Sequence, residues 1–323
     1  MDIIEKLKES GLKGRGGGSF PVFLKWDLVK KVKGEEKYVI CNASEGEPNV
    51  FKDGFILENY PEEVINGISL AMDFISAKSA YLYLNKEYYL KFKEKLENII
   101  GDKNIILFEK KGKYIGGEET AICESIEGNL VEPRKKPPFL TDCGLFNCPT
   151  LMNNVETFYS ISRIIKGEYK KTRFYSVNGD VLNKGVYELG ENLTIEEILK
   201  ETKNYPDFDF FVQDGGGASG EILLINELNC LSHGAGSITV FNKKETDLYS
   251  LMENWAKFFH TGNCDKCVPC REGAYRIYEM IKNRKIDKEK LEDIFLSLKK
   301  TSFCSLGRGI PLPFESLINK LKL

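Results

Sequence analysis

Apolar and polar positions alternate along the first half of the chain with two different periods. Ile3, Ile4 and Leu7 place one apolar face on Met1–Glu9, and Gly11 ends it, which predicts a short helix. Tyr38–Cys41 (YVIC) is a continuous apolar run and reads as a buried strand. Pro61–Phe74 carries a helical pattern with Pro61 in its first turn. A strand pattern at Ala80–Leu84, a helix pattern at Lys86–Ile99 and a strand pattern at Ile105–Phe108 follow. Strands that alternate with helices imply a parallel, doubly wound sheet. A further helix is expected over Asn153–Ile165, opening on the polar pair Asn153-Asn154.

The pattern changes at Lys171–Phe241, where RFYSVNG, GVYELG, TIEEILKE, FDFFVQ and EILLI read strand, strand, helix, strand, strand. This is a small α+β module of ubiquitin-like size, and Asn178-Gly179 is a turn signal within it. The glycine run Asp214–Gly220 (DGGGASG) precedes no helix and is expected to be a turn between strands. Helical patterns at Asp247–His260, Glu272–Lys282, Asp287–Lys300 and Phe314–Leu321 form a small C-terminal bundle.

Cysteine spacing changes this picture most. Cys264, Cys267 and Cys270 recur every third residue in NCDKCVPCREG, and Cys304 follows in FCSLG. Three thiols on one tight loop can converge, and a later helix can bring the fourth. That is the geometry of a [4Fe-4S] cluster. A structural zinc on four cysteines is the alternative, although zinc sites more often pair their cysteines two and two. The remaining cysteines, Cys41, Cys123, Cys143, Cys148 and Cys230, are scattered and read as small buried hydrophobes.

Three polar loops offer ligand chemistry. Gly14–Ser19 holds four glycines in six residues, flanked by Lys13, Arg15 and Lys25, so inward amides and cations could meet an anion. It matches neither the dinucleotide fingerprint nor a P-loop, and a flexible surface loop is the bland reading. Asn42–Asp53 (NASEGEPNVFKD) follows the first strand directly, at the sheet end where open α/β folds bind ligands, and carries Glu45 and Glu47. Gly116-Gly117 precedes Glu118 and Glu119 at a predicted helix start, where free amides suit a phosphate and acids suit the helix dipole.

Composition sets limits. The chain has 323 residues, 42% of them apolar, enough for two or three domains. A net charge of −2 gives no sign of nucleic-acid or membrane-surface binding. With no leader-like segment and no apolar run of spanning length, a cytoplasmic location is expected, with any membrane link made through partners. Two histidines make His-dependent catalysis and histidine-rich metal sites poor candidates.

GLKGRGGGSFPVFLKW, NASEGEPNVFKD, YIGGEETAICESIEG, KPPFLTDCGLFNCPTLMNNVET and CDKCVPCREG…CSLG occur here in the order of a known family. Over Gly11 to about Leu312 the chain resembles the NADH-oxidising flavoprotein subunit of respiratory NADH dehydrogenase. It is also similar to the diaphorase subunits of NAD-linked or bifurcating hydrogenases and formate dehydrogenases. The resemblance implies three domains: an α/β FMN-binding domain with a Rossmann-like parallel sheet (residues 1–167), a ubiquitin-like β-grasp (SLBB) insert (168–243) and a C-terminal four-helix iron–sulfur domain (244–323).

It also implies residue roles. Gly14, Arg15, Gly16, Gly17, Gly18 and Lys25 would line the FMN and nucleotide cavity. Asn42, Glu45, Gly117, Asn153 and Asn154 would contact FMN, with Glu118 beside them. Phe20, Glu47, Glu119 and Phe139 would face NADH, the two acids favouring NADH over NADPH. Cys264, Cys267, Cys270 and Cys304 would hold the [4Fe-4S] cluster. The implied reaction is hydride transfer between NADH and FMN, then single-electron transfer through the cluster. The implied partners are a [2Fe-2S] thioredoxin-like subunit and a larger iron–sulfur subunit. The chain departs from the family pattern at Ser44, usually Asp, at Gly46, usually Ser, at Gly116, usually Cys, and at Leu28, often aromatic. An electron-relay subunit without nucleotide binding, or a zinc-stabilised scaffold, are the other readings.

Overall fold

The computed structural model describes residues 2–33 and 36–322, so Met1 of the first expected helix lies outside the described residues. The N-terminal half runs α1 (Ile3–Ser10), α2 (Val22–Lys31), β1 (Tyr38–Ala43), α3 (Lys52–Asn59), α4 (Pro61–Ile75), β2 (Ser79–Leu84), α5 (Lys86–Ile100), β3 (Ile105–Glu109), α6 (Glu119–Glu127), β4 (Thr150–Asn154) and α7 (Val155–Lys166). The four strands form one parallel sheet in the order β3-β2-β1-β4.

Both faces of this sheet are covered, and the side chains of β1 show how. Val39, Cys41 and Ala43 join the core beneath α1, α2, α4, α5 and α7, while Tyr38 and Ile40 join a second core with Ile122, Cys123 and Met152. Period-two alternation with apolar residues on both faces is what a doubly wound parallel sheet requires. The chain leaves β1 toward β2 on one side and returns to β4 on the other. The carboxyl ends of β1 and β4 therefore flank a topological switch point, the place where such sheets open a crevice.

The expected helix over Asn153–Ile165 begins two residues later than its sequence suggests. Asn153 and Asn154 are the last residues of β4, paired in register with Cys41 and Asn42. The Asn154 side chain then caps α7 by accepting from the Glu156 amide at 3.0 Å.

The next segment comprises β5 (Thr172–Gly179), β6 (Gly185–Gly190), α8 (Ile195–Glu201), β7 (Phe210–Asp214), β8 (Glu221–Leu224) and β9 (Ser237–Asn242). They form a mixed five-stranded sheet in the order β6-β5-β9-β7-β8, in which β5 and β9 run parallel. Strand β9 is an element the apolar pattern does not separate. A capping box of Thr194 and Glu197 starts α8.

Helices α9 (Leu248–Gly262), α10 (Val268–Lys282), α11 (Lys288–Thr301), the short α12 (Ser305–Gly309) and α13 (Pro311–Leu321) complete the chain. They share one core with Phe211, Ala218 and Ile222 of the mixed sheet. Helix α10 starts at Val268, four residues before the expected Glu272, with Pro269 in its first turn. Cys267 is therefore its N-cap and Cys270 lies inside its first turn. The helical region docks on the α/β region through Lys113–Asp265 and Lys266–Glu132, each 2.7 Å, and through Tyr114 and Phe258, whose rings are 4.6 Å apart.

Candidate functional site

The crevice at the β1/β4 switch point is built by adjacent strand ends. Asn42 and Asn154 stand opposite one another in register. The glycine loop closes over them: the Gly14 amide donates to the Phe20 carbonyl at 2.9 Å, and Gly17 takes a positive φ of 102°. A Cβ at Gly16 would come within 3.2 Å of the Asn154 Cβ, so glycine lets the loop backbone lie directly on the strand end. The Arg15 amide donates to Thr157 Oγ1 at 3.0 Å, fixing the loop to the first turn of α7. These contacts replace the bland expectation of a flexible surface loop.

Two cavities meet here. The first, about 490 Å³, is lined by Arg15, Gly16, Asn42, Glu45, Glu47, Gly117, Glu118 and Asn154, and on its far side by Phe259, Ser305 and Leu306. The second, about 340 Å³, is lined by Gly14, Gly18, Phe20, Lys25, Glu119, Lys136 and Asn153. Gly16, Asn42, Gly117, Glu118, Asn154 and Ser305 border both. Each volume falls within the size range of small-ligand sites. Gly17 lines neither cavity and packs against Gly234. Phe139 lines neither and is 54% exposed.

Beneath the first cavity lies an ionic network that nothing in the sequence pattern singles out. Lys52 Nζ lies 2.6 Å from Asp53 Oδ1 and 3.1 Å from Glu156 Oε2, all three side chains out of solvent. Lys52 also donates to Asn154 Oδ1 at 3.1 Å, and Asn154 Nδ2 donates to Asp53 Oδ2 at 2.6 Å. Arg15 reaches the same cluster, pairing with Glu191 and lying 3.9 Å from Glu156. Burial pulls the Lys52 ammonium down, but Asp53, Glu156 and Glu45 more than offset it and hold the group above its ordinary range.

Glu45 accepts from the amides of Asp53 and Gly54 and from Tyr88 Oη at 2.6 Å. Burial, and then the nearby Asp53 charge, push its carboxyl up to about 7. Glu47 is turned toward the mixed sheet, where it accepts from the Ala218 and Ser219 amides at 3.1 and 2.5 Å. The Asp214–Gly220 turn is thus also a clasp. A Cβ at Gly216 would collide with the Glu47 carboxylate, and one at Gly217 with the Pro48 carbonyl oxygen.

At the second cavity, Glu118 caps α6 by accepting from Thr120 and Ala121, and Gly116-Gly117 form a 3-10 turn just before it. Lys136 bridges Glu118 at 2.9 Å and Glu119 at 2.5 Å. Lys25 donates to the Met152 carbonyl at 3.1 Å, and burial lowers its pKa. With its amide oxygen turned toward Trp26, Asn153 accepts from the indole Nε1 at 3.0 Å.

The four thiols gather at the start of α10. A Cβ at Gly307 would lie 3.2 Å from the Cys270 Cβ, so glycine lets α12 rest on α10 and bring Cys304 in. Burial and the other three cysteines push the Cys270 thiol up to about 12. Burial also raises Cys304, while the amides of Gly307 and Leu306 pull it back. Four such sulfurs can be thiolates together only around positive charge, which bound iron supplies. The amino end of α10 also favours a net anionic group.

Residues 7–163 match the family described as the Nuo51 FMN-binding domain, and residues 250–322 match the NADH-ubiquinone oxidoreductase-F iron–sulfur binding region. The chain is 31% identical to the second F-type NADH-quinone oxidoreductase subunit of Rhizobium meliloti (strain 1021), covering 99% of this chain and 87% of that one. It is 34% identical to the alpha chain of the NAD-reducing hydrogenase HoxS of Cupriavidus necator, covering 98% of this chain and 59% of the relative. The crystal structure of an NAD+-reducing [NiFe]-hydrogenase in the H2-reduced state superposes with a TM-score of 0.91 at 28% identity, over 99% of this chain and 61% of that chain. The chain therefore spans less than two thirds of the hydrogenase polypeptides. It belongs to the family of FMN-binding, iron–sulfur F-type subunits of NADH-quinone oxidoreductase.

Proposed function

We propose that this chain is the NADH-oxidising flavoprotein subunit of a multi-subunit redox complex, joining hydride transfer at FMN to single-electron transfer at a [4Fe-4S] cluster. One observation carries the reading: Ser305 and Leu306, next to the cluster ligand Cys304, line the same cavity as Asn42, Gly117 and Asn154. A flavin held by the strand ends would border the segment that carries Cys304.

FMN, when bound, would accept one hydride, with its two electrons, from the nicotinamide and release those electrons singly, so the protein needs no side-chain nucleophile. The chain's own residues bind and orient. Asn42 and Asn154 present amide edges, Gly14, Gly16, Gly18 and Gly117 give the backbone close approach, and the Lys52–Asp53–Glu156 network holds Asn154 rigid. Phe20 offers a stacking face at the outer cavity. Glu119 there, held by Lys136, suits a ribose hydroxyl and disfavours a 2′-phosphate. Glu47 is already engaged by the Ala218 and Ser219 amides, so its part is to join the two sheets at the cavity wall.

The mixed five-stranded sheet with its single helix supports a β-grasp, SLBB-type insert over 168–243, between an FMN domain over 1–167 and a helical iron–sulfur domain over 244–323. The long helices α9, α10, α11 and α13 supply the four of that last domain. The partners proposed are a [2Fe-2S] thioredoxin-like subunit and a larger iron–sulfur subunit, and the location proposed is the cytoplasm. No described helix is long and apolar enough to cross a membrane. The reading is tested by the cofactor content of the chain purified without oxygen. FMN, iron and acid-labile sulfide are expected together, and a colourless chain holding zinc alone would overturn it.

A further inference from the structure

Lys110 follows β3 and is mostly buried, yet among the described residues no carboxylate lies within ion-pair distance of it. Its ammonium has long contacts to the Ser44 carbonyl at 3.5 Å and the Tyr114 carbonyl at 3.4 Å, and lies 5.9 Å from the centre of the Tyr114 ring. Burial alone lowers its pKa to about 8, and no acid restores it. The other cations at this site are engaged: Lys52 by Asp53 and Glu156, Arg15 by Glu191, and Lys136 by Glu118 and Glu119. A mostly buried ammonium without a counter-charge is costly unless a negative group meets it.

What it faces is the wall of the first cavity. A Cβ at Gly46 would lie 3.7 Å from Lys110 Nζ and one at Gly117 3.8 Å, and both glycines line that cavity. Lys110 itself stands one layer behind that wall, and neither glycine adds a side chain to the gap. Three of the four positions where the chain departs from its family pattern pack on this lysine. Ser44 gives the lysine its backbone carbonyl while its hydroxyl turns to Asn42, Gly46 adds no side chain to the wall, and a Cβ at Gly116 would press on Lys110 Cε at 3.3 Å. None of the three brings an acid to this ammonium.

We propose that Lys110, acting through the Gly46 and Gly117 wall, favours the reduced, anionic form of the bound cofactor over the oxidised, neutral ring. The inference rests on the FMN reading above. Position favours the ring over the phosphate. The same cavity is bordered by Ser305 and Leu306 beside Cys304, where the redox-active part of the cofactor must lie for electrons to reach the thiols. Reduced flavin is an acid that ionises near neutral pH, so negative charge appears at this wall on reduction.

The test uses the full chain reconstituted with FMN. Affinity for oxidised FMN is read by fluorescence quenching, and affinity for the reduced form follows from the shift in the flavin midpoint potential on binding. Lys110→Met is expected to leave oxidised FMN affinity within about threefold and to weaken the reduced form by about tenfold or more, the size of one hydrogen bond to a charged group. Lys110→Arg should restore most of the preference. Ser44→Asp, which adds an acid on the residue whose carbonyl Lys110 contacts and leaves Lys110 in place, should mimic the loss if Lys110→Met folds poorly. An unchanged ratio of the two affinities in both Lys110→Met and Ser44→Asp overturns the inference, as does an equal loss in both redox states, which would mark a phosphate anchor. Failure of the wild-type chain to bind FMN at all would instead overturn the underlying reading.

Discussion

Lys52 Nζ lies 3.1 Å from Glu156 Oε2, and neither side chain reaches solvent. The pair sits below the strand ends that carry Asn42 and Asn154, and Lys52 also holds the Asn154 side chain. Removing one partner strands a buried charge, which typically costs about 3–5 kcal/mol. Glu156→Gln keeps the acceptor that receives the Phe174 amide at 3.0 Å but removes the charge. The variant is expected to lose at least ~3 kcal/mol in urea unfolding and to bind FMN more weakly. A loss below ~1 kcal/mol would show that the network does not support the site.

Stability should fall as pH rises through the range where Glu45 titrates. Its folded pKa is raised to about 7 from an ordinary 4.5, through burial and then Asp53. The folded chain therefore holds a proton that the unfolded chain has released, and each step up in pH across that window favours unfolding. Asp214, pushed up to about 6 chiefly by burial, acts in the same direction. Glu45→Gln should flatten the dependence of the urea midpoint between roughly pH 4.5 and 7, and Asp214→Asn should remove a further part below about 6. An unaltered slope in Glu45→Gln would show that this carboxyl does not titrate there.

Glu119 and Lys136 form an ion pair at the mouth of the outer cavity. If Glu119 faces the ribose as proposed, Glu119→Gln removes an acid that would disfavour a 2′-phosphate and leaves Lys136 with Glu118 as its one remaining carboxylate partner. The ratio of kcat/KM for NADH over NADPH is expected to fall by about tenfold or more, equivalent to roughly 1.4 kcal/mol of discrimination. A preference identical to wild type would take Glu119 out of the ribose site.

Cys267 occupies the N-cap position of α10, and its charge bears on each of the other three cysteines of the site. Cys267→Ser should lose iron and stop delivery to one-electron acceptors that draw on the cluster. Flavin reduction by NADH should remain, because that cavity is built by other elements. Full iron content in the variant would count against the ligand assignment.

Much of this architecture is legible in the chain. β1, β2 and β3 are continuous apolar runs, α4 and α5 carry a clear helical period, and the cysteine spacing marks the cluster loop before any fold is known. What escapes has physical causes. α3 (KDGFILEN) contains Gly54, which reads as a breaker. There the glycine is needed because a Cβ would sit 2.6 Å from Tyr88 Oη. β4 is only five residues long and runs straight into α7, so its polar end, Asn153-Asn154, looks like a helix start. Lys52, Asp53, Glu156 and Lys110 resemble ordinary surface charges in a sequence where 29% of residues are charged. Only the fold reveals that they are buried. The clasp of Glu47 by Ala218 and Ser219 joins residues more than 170 positions apart and has no local signal.

The most direct measurement adds NADH to the FMN- and iron-loaded chain without oxygen and follows visible absorbance. The flavin band should bleach on mixing, and cluster absorbance should fall with it. A flavin band that NADH leaves untouched, in a chain that carries both cofactors, would contradict the account.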